Sequence, residues 1–257
     1  MQYLLSRASR PILTRLATER ALCAFDFDGT LAPIVEHPNK AGMRVRTRKL
    51  LTNLAAIYPC IIVSGRARSD VLGKLRGVKV AGVIGNHGAE TVGTARKSHR
   101  RRVEKWNAAL KREIDLIPGV WVEDKGLSLA VHYRQSTQKA ESRRRIFEVT
   151  RNLQQARVFG GKQVVNVVID KAPHKGEALA AERDRLGCKS VLYVGDDEND
   201  EDAFGLDGKI IPVRIGWKRR SHARYYLRTQ TEIDRLLEML VLDANSQERS
   251  GLVSRRI

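Results

Sequence analysis

The chain has 257 residues, of which 42% are apolar, and its 47 Lys and Arg against 29 Asp and Glu give a net charge of +18. This length allows one large domain or two small ones. No apolar stretch approaches the ~20 residues that a membrane-spanning helix needs, so we expect no membrane association. The three scattered cysteines form no CxxC pair, which indicates no disulfide framework and favours the reducing cytoplasm.

The positive charge is spread over the chain and is dense in the runs 96–102, 143–145 and 218–220. Such charge can indicate nucleic-acid binding, but aromatic residues are only 5% and no nucleic-acid-binding motif accompanies them. A solvated basic surface that attracts anionic substrates is the simpler interpretation. We therefore expect the main partner to be a small anionic molecule and not nucleic acid. We also expect the protein to be a monomer or a weak oligomer.

The first 90 residues alternate helical patterns with apolar runs. Residues 1–20 predict a first helix packed on a sheet, and later helices are predicted over 48–57 and 69–75. Strand-like apolar runs lie at 21–27, 60–64 and 80–84. Alternation of strand and helix predicts a parallel sheet, so we interpret residues 1–90 as the first part of an α/β core.

The pattern changes after Gly85-Asn-His-Gly88. Two helices are predicted, at 103–117 and 136–153. Two hairpins are also predicted, one around Asp124-Lys-Gly126 and one around Gly160-Gly161, with strands at 120–123, 128–133, 157–159 and 164–169. Two hairpins and two helices predict a small α+β domain over residues 91–170.

The first pattern then returns. Helices are predicted at 175–186 and 231–242, and strands at 191–194 and 210–215. The fold class that follows is α/β: a doubly wound parallel-sheet core, completed by residues 171–243, with an inserted α+β cap domain. Residues 244–257 are polar and predict a flexible tail.

Acidic clusters follow two of the apolar runs directly. Asp26 and Asp28 come after the first run, and Asp196, Asp197 and Asp200 come after the run at 191–194. Ligands bind at the carboxyl ends of strands in open α/β sheets, so we expect these acids to meet there. Carboxylates that converge need a cation, and oxygen ligands without Cys or His favour Mg²⁺.

The second acidic cluster has two other interpretations. A calcium-binding EF-hand loop is excluded because Glu201 occupies the position of the sharp-turn glycine. Acids that cap a helix N-terminus remain possible, but three acids in five residues exceed what a cap needs.

Two further segments can serve a phosphate. Ser64-Gly65-Arg66 closes the second strand and offers a hydroxyl and a backbone amide, although an ordinary strand-to-helix turn has the same appearance. Lys175 opens a helix and in this layout reaches the carboxyl edge of the sheet, where it can neutralise phosphate charge. A surface lysine is the alternative for Lys175.

The order Asp26-x-Asp28-Gly-Thr, Ser64-Gly-Arg66, Lys175-Gly176, Gly195-Asp-Asp-Glu-Asn-Asp resembles the haloacid dehalogenase superfamily of phosphatases. The cap between the third strand and the lysine resembles the type-two caps of its sugar phosphatases. A narrower resemblance is to the trehalose-6-phosphate phosphatases, and it extends over residues 21–215. It rests on Gly85-Asn-His-Gly-Ala-Glu90, on Glu123-x-Lys125-x-x-Ser128-x-x-x-His132-Tyr-Arg134, and on His174-Lys-Gly-Glu-Ala-Leu179.

The resemblance implies a role for each matching residue. Asp26 would be the nucleophile, Asp28 the general acid and base, and Ser64 and Lys175 the other catalytic groups. Mg²⁺ would be held by Asp26, Asp28, Asp196 and Asp200. The substrate-binding residues would be Ser64, Gly65, Arg66, His87, Glu123, Lys125, Ser128 and Asn166.

The chain departs from the family pattern at two positions, a mild change at Asn199 and a change at Asn166 that concerns the sugar. Asn199 stands where Thr is usual, and Asn166 stands where the family places a carboxylate that contacts the disaccharide. The expected activity is Mg²⁺-dependent hydrolysis of trehalose 6-phosphate. Another sugar phosphate, such as glucosylglycerol phosphate or mannosyl-phosphoglycerate, is the alternative within this class. A non-catalytic or nucleic-acid-binding module is the alternative of another class, and the intact acidic and basic residues argue against it.

Overall fold

The computed structural model describes residues 1–91 and 97–249. Its strands, in chain order, are β1 Gln2–Tyr3, β2 Ala21–Phe25, β3 Cys60–Val63, β4 Gly82–Ile84, β5 Trp121–Asp124, β6 Ser128–His132, β7 Ala156–Gly161, β8 Val164–Ile169, β9 Ser190–Gly195, β10 Ile210–Ile215 and β11 Tyr225–Leu227. Its α-helices are α1 Arg10–Thr18, α2 Val45–Ala55, α3 Arg68–Leu75, α4 Lys97–Ile114, α5 Lys139–Thr150, α6 Lys175–Arg185, α7 Glu201–Phe204 and α8 Ile233–Arg249.

Seven strands form a parallel sheet in the order β1-β11-β10-β9-β2-β3-β4. β2 lies between β3 and β9 in this sheet. Phe25, the last residue of β2, is in register with Val194 of β9. The two acidic segments therefore leave neighbouring strands at the same edge. This arrangement confirms the predicted adjacency of the two strands, which lie far apart in sequence.

Both faces of the sheet are covered, because alternate residues of its buried strands point to opposite sides. In β2, Cys23 and Phe25 belong to a core shared with α1, α2, α3 and α8, whereas Leu22 and Ala24 belong to a second core shared with α6 and α7. All residues of β2 are buried. The predicted doubly wound parallel core is confirmed.

A second, antiparallel sheet of four strands has the order β5-β6-β8-β7. α4 and α5 contribute Trp106, Leu110 and Ile146 to its own hydrophobic core. A four-stranded antiparallel sheet packed against two helices is the architecture predicted for the α+β cap. The second hairpin differs from its prediction in one respect. Both glycines that were expected to form the turn belong to β7, and the turn is made by Lys162 and Gln163.

The predicted boundaries of core and cap stay a prediction, and residues 92–96, next to the boundary at 91, lie outside the described residues. The flexible tail was expected to begin at 244, whereas α8 continues to Arg249. Ala244 is buried in the core, and Asp243 forms an ion pair with Arg10 of α1, which explains the extra helical turn. Residues 250–257 also lie outside the described residues. Among the helices described, none has the length and apolar content needed to cross a membrane.

Candidate active site

The carboxyl ends of β2 and β9 bring acids from both segments together. Asp26 N donates to the Val194 carbonyl at 2.8 Å, which ties the first acidic segment to β9. One carboxylate oxygen from each of Asp26, Asp196 and Asp200 lies within 4.8 Å of the others, and all three residues are buried. Carboxylates this close repel each other strongly away from water. The cluster therefore needs positive charge, and its donor atoms are of the kind that Mg²⁺ takes.

Lys175, the first residue of α6, supplies one positive charge. Its Nζ donates to Asp26 Oδ1 at 2.8 Å and to Asp200 Oδ1 at 2.7 Å. Burial opposes the charged ammonium, but the two carboxylates outweigh it and raise the pKa of Lys175. Burial also raises the pKa of Asp26, and Lys175 opposes that change. α6 begins at this lysine because the ring of His174 accepts hydrogen bonds from first-turn amides, while Glu177 accepts from the His174 N–H.

Asp200 uses both of its oxygens in hydrogen bonds within the protein. Oδ1 accepts from Lys175 and, at 2.6 Å, from the Tyr193 hydroxyl. Oδ2 accepts from the backbone amides of Asp196 and Asp197 at 2.8 and 2.9 Å. Asp200 therefore fixes the lysine and the loop that carries Asp196. Its direct role toward a metal ion stays a prediction.

Asp196 is the acid whose bonding is incomplete. Its Oδ2 contacts Lys162 from the β7–β8 turn of the cap, whereas its Oδ1 is buried and has no hydrogen-bond partner in the described part of the chain. Burial raises the pKa of Asp196 to about 6, with Lys162 opposing. Gly29 has a left-handed φ of 84°, and a Cβ there would overlap the Asp196 carboxylate. An unpartnered buried carboxylate oxygen beside two other acids is the donor set that a Mg²⁺ ion fits.

Asp28 is held by Arg66. Nε of the arginine donates to Asp28 Oδ2 at 2.6 Å and Nη2 donates to Asp28 Oδ1 at 2.8 Å. Arg66 is itself anchored by Asp70 at 2.7 Å and by the Pro38 carbonyl at 2.9 Å. A bidentate pair of this kind fixes the direction of the carboxylate. Asp28 thus faces the cleft at a defined position beside Asp26.

The cap places further polar groups over the cleft. Glu123 Oε2 accepts from His132 Nε2 at 2.8 Å, and Trp121 stacks on the His132 ring at 4.2 Å. Lys125 Nζ donates to the Gly65 carbonyl at 3.0 Å, which joins the cap to the core. Burial works against ionisation of Glu123, but His132 and Lys125 outweigh it and lower its pKa. Burial lowers the pKa of Lys125, with Glu123 opposing.

His87 and Asn166 form part of the cleft wall. His87 is buried with a left-handed φ of 58°, and its ring packs edge-on against Phe159 at 5.1 Å. Burial lowers the pKa of His87 well below its usual value, so the ring is neutral. A side chain at Gly65 would overlap this ring. Asn166, in the middle of β8, is 2% exposed.

The cleft joins most of the residues that the sequence predicted. Those that line it are Asp26, Asp28, Gly65, Arg66, His87, Glu123, Lys125, Asn166, Lys175 and Asp196. Three predicted residues, all in the described part of the chain, do not line it: Ser64, Ser128 and Asp200, whose bonds are described above. Ser64 Oγ accepts from the Arg66 amide at 3.2 Å, and Ser128 Oγ donates to Asn86 Oδ1 at 2.6 Å.

Four polar lining residues were not predicted as site residues, namely Arg134, Lys162, Asp197 and Asn199, although the sequence had drawn attention to Asp197 and Asn199 in the second acidic segment. Arg134 and Asn199 lie inside the motif strings of the family resemblance, so the signal for them was present. Lys162 is different. It is one lysine among many in a basic chain, and only the position of its hairpin over Asp196 distinguishes it.

A family model described as trehalose-phosphatase matches residues 24–209. The chain belongs to the trehalose-phosphatase family. A trehalose-phosphate phosphatase of Mycolicibacterium paratuberculosis is 33% identical over 208 residues, which is 74% of this chain and 52% of that protein. A Mycobacterium tuberculosis protein named as an uncharacterized glycosyl hydrolase is 35% identical over 257 residues, which is 90% of this chain and 19% of that protein. The chain thus spans about half or less of the length of these relatives.

Solved structures of low sequence identity share the fold. The C-terminal domain of trehalose-6-phosphate phosphatase from C. albicans superimposes with a TM-score of 0.79 at 23% identity, covering 90% of this chain and 96% of that one. A haloacid dehalogenase-like hydrolase from B. subtilis superimposes with a TM-score of 0.61 at 17% identity, covering 85% of this chain and 98% of that one. These likenesses support the haloacid dehalogenase-like core and its cap.

Proposed function

We propose that this member of the trehalose-phosphatase family is a Mg²⁺-dependent phosphomonoesterase that hydrolyses trehalose 6-phosphate to trehalose and phosphate. One observation carries the proposal. Asp26 meets Lys175 and the unpartnered Oδ1 of Asp196 at the carboxyl edge of the sheet, beneath a cap lined with polar side chains. A nucleophilic carboxylate, a fixed ammonium and a metal site at one point are what phosphoryl transfer requires.

Asp26 attacks the phosphorus atom in line and forms an aspartyl-phosphate as the bond to the sugar oxygen breaks. Lys175 is already bonded to Asp26 at 2.8 Å, so its charge lies where the transferring oxygens develop negative charge. Asp28 gives its proton to the departing sugar oxygen. It then takes a proton from the water that hydrolyses the aspartyl-phosphate, releasing inorganic phosphate and restoring Asp26.

The proton transfers require Asp28 to exchange its bonds with Arg66 for a bond to substrate, because both of its oxygens accept from that guanidinium. The two residues are adjacent on the cleft wall, so the exchange needs only a side-chain rotation. Arg66 keeps its bonds to Asp70 and to the Pro38 carbonyl during this exchange, so it stays on the cleft wall.

Asp26, the backbone carbonyl of Asp28 and Asp196 would hold the Mg²⁺ ion, and Asp200 supports them through Lys175 and the loop amides. A bound Mg²⁺ neutralises the carboxylates and the phosphate charge during transfer. Lys162 must leave Asp196 Oδ2 for this oxygen to serve as a ligand. A metal ion that used Asp196 Oδ2 would therefore displace the side chain of Lys162, which the β7–β8 turn carries.

The sugar lies under the cap, against Glu123, Lys125, His132 and Asn166. Glu123 and Lys125 can each bond to hydroxyl groups, and the lowered pKa of Glu123 keeps it a charged acceptor. Asn166 offers hydrogen bonds without charge. Closure of the cap excludes water from the phosphorus atom before attack.

The test is a phosphate-release screen with Mg²⁺, across trehalose 6-phosphate, glucose 6-phosphate, glucosylglycerol phosphate and mannosyl-phosphoglycerate. The expected result is the highest kcat/KM for trehalose 6-phosphate. Equal values for all four would overturn the substrate and leave a general sugar-phosphate phosphatase. No release from any of them, or from p-nitrophenyl phosphate, would overturn the phosphatase itself.

A further inference from the structure

A buried arginine stands directly behind the acidic loop that follows β9. Residues 196–202 contain six acids in seven positions. Arg214, near the end of β10, is only 7% exposed and lies in register with Gly195, the residue before the loop. Burying a charged side chain on an apolar strand is costly unless its donors are bonded. The burial of Arg214 must therefore be offset by hydrogen bonds of its guanidinium group.

Arg214 binds the backbone of two consecutive loop residues. Nη2 donates to the Asp196 carbonyl at 2.8 Å and Nη1 donates to the Asp197 carbonyl at 3.0 Å. Nη1 also donates to Glu201 Oε1 at 2.9 Å. The amides of the same two residues are bonded to Asp200 Oδ2. One side chain thus holds both carbonyls and another holds both amides, so the backbone that carries Asp196 is fixed from both sides.

We propose that Arg214 is a positioning residue for the Mg²⁺ site and acts through Asp196. It holds the loop backbone so that the carboxylate of Asp196, one oxygen of which is unpartnered, stays in the carboxylate cluster. The planar guanidinium places two N–H groups on two acceptors at once, which the ammonium of a lysine does not reproduce. Its charge also offsets the repulsion between the loop acids that would otherwise drive Asp196 away from Asp26. This inference rests on the proposed function.

The experiment titrates Mg²⁺ into the purified full chain by calorimetry. Arg214→Lys and Arg214→Gln are expected to raise the Mg²⁺ Kd about tenfold or more, the usual effect of losing a group that orients a metal ligand. Hydrolysis of p-nitrophenyl phosphate by Arg214→Lys is expected to recover toward the unmodified rate at saturating Mg²⁺. Glu201→Gln keeps the two carbonyl bonds of Arg214, so its Kd is expected to change less than about threefold.

Arg48 supplies a matched control. It also binds two consecutive carbonyls, those of Lys74 and Leu75, at 3.3 and 2.7 Å, and it is not part of the cleft lining. Arg48→Lys is expected to lower the melting temperature without changing the Mg²⁺ Kd. Thermal unfolding of all variants in EDTA measures the purely structural contribution of each arginine.

The outcomes separate the two proposals. An unchanged Kd in Arg214→Lys, with a loss of melting temperature like that of Arg48→Lys, would make Arg214 a structural residue and overturn the inference. The same holds if neither Arg214 variant folds with or without Mg²⁺. A raised Kd with catalysis restored by excess Mg²⁺ supports it. If the unmodified protein binds no Mg²⁺, the proposed function itself is overturned.

Discussion

Lys162 of the cap forms an ion pair with the Asp196 carboxylate of the core, so its ammonium group lies beside the carboxylates of the proposed Mg²⁺ site. The lysine side chain is 48% exposed and the aspartate side chain is 2% exposed. A half-exposed ion pair contributes about 0.2–1 kcal/mol. We therefore expect Mg²⁺ to displace the lysine when it binds at the proposed site.

The first prediction follows from this competition. Lys162→Gln removes the competing ammonium and is expected to lower the Mg²⁺ Kd by about two- to fivefold, the range that such a pair allows. Calorimetry with Mg²⁺ measures the change. Lys171→Gln, at an exposed lysine outside the cleft, is the matched control and is expected to leave the Kd unchanged. Weaker binding in Lys162→Gln would contradict the competition.

The second prediction concerns the nucleophile. Asp26→Asn keeps the shape of the side chain and a contact for Lys175, but the amide cannot attack phosphorus. Hydrolysis of p-nitrophenyl phosphate with Mg²⁺ is expected to fall by at least ~10³-fold, since the covalent route is lost. Asp184→Asn, at an exposed aspartate on α6, is expected to retain full activity. Substantial turnover by a folded Asp26→Asn protein would rule out the aspartyl-phosphate route.

The third prediction separates Asp28 from Asp26 by the leaving group. Proton transfer by a placed carboxylate contributes ~10²–10⁴-fold, and a sugar alkoxide needs it far more than a nitrophenolate does. Asp28→Asn is therefore expected to lose activity mainly on trehalose 6-phosphate. Rapid quenching of the reaction is also expected to trap aspartyl-phosphate, because attack by water slows. Equal losses on both substrates, with no trapped intermediate, would refute the acid and base role.

The fourth prediction concerns the sugar side of the cleft. Glu123→Ala removes a charged acceptor next to Lys125, and a hydrogen bond to a charged group contributes ~1.5–3 kcal/mol. KM for trehalose 6-phosphate is expected to rise roughly ten- to hundredfold, with hydrolysis of p-nitrophenyl phosphate little changed. Asn166→Glu is expected to lower the same KM by adding a charged acceptor to β8. If neither substitution changes KM, the sugar does not lie under these residues.

The fifth prediction links the metal to stability. A ligand that binds only the folded state at 100 times its Kd stabilises it by about 2.7 kcal/mol. Mg²⁺ is therefore expected to raise the melting temperature of the EDTA-treated protein. Asp196→Asn should abolish this rise. Asp202→Asn, in the same acidic run but with a half-exposed side chain near Arg157, should retain it. The same rise in both variants would place Mg²⁺ elsewhere.

The central strands could be predicted from the sequence because burial on both faces of a parallel sheet leaves a continuous apolar run. The predicted run at 60–64 corresponds to β3 at Cys60–Val63, and that at 191–194 to β9 at Ser190–Gly195. β1 and β11 were missed because β1 has only two residues and β11 lies between Arg224 and Arg228, so neither forms an apolar run like the one at 80–84 that contains β4. The acids could be placed at the strand ends because they directly follow these apolar runs in the sequence.

The turn of the second cap hairpin could not be predicted, because Gly160 and Gly161 belong to strand β7 and not to the turn. A Cβ on Gly161 would lie 2.9 Å from the Val164 side chain and 3.0 Å from Asp197 Oδ2. The glycine therefore allows the cap strand to approach the acidic loop and does not mark the turn, where Gln163 adopts the positive φ of 63°. The contacts of Lys162 and Arg214 likewise join segments that are distant in the sequence. A local sequence pattern does not predict such contacts.

The strand order also has a consequence for how the protein is made. β2 pairs on one side with β9, and the partner of Phe25 is Val194, about 170 positions later in the chain. At ribosomal rates of ~5–20 residues per second, that edge of β2 waits roughly ten to thirty seconds for its neighbour while residues 26–194, which include the cap, are synthesised. An apolar strand with an open edge is a template for aggregation. The nascent chain is therefore most vulnerable during translation of the cap, which is when chaperone protection of β2 matters most.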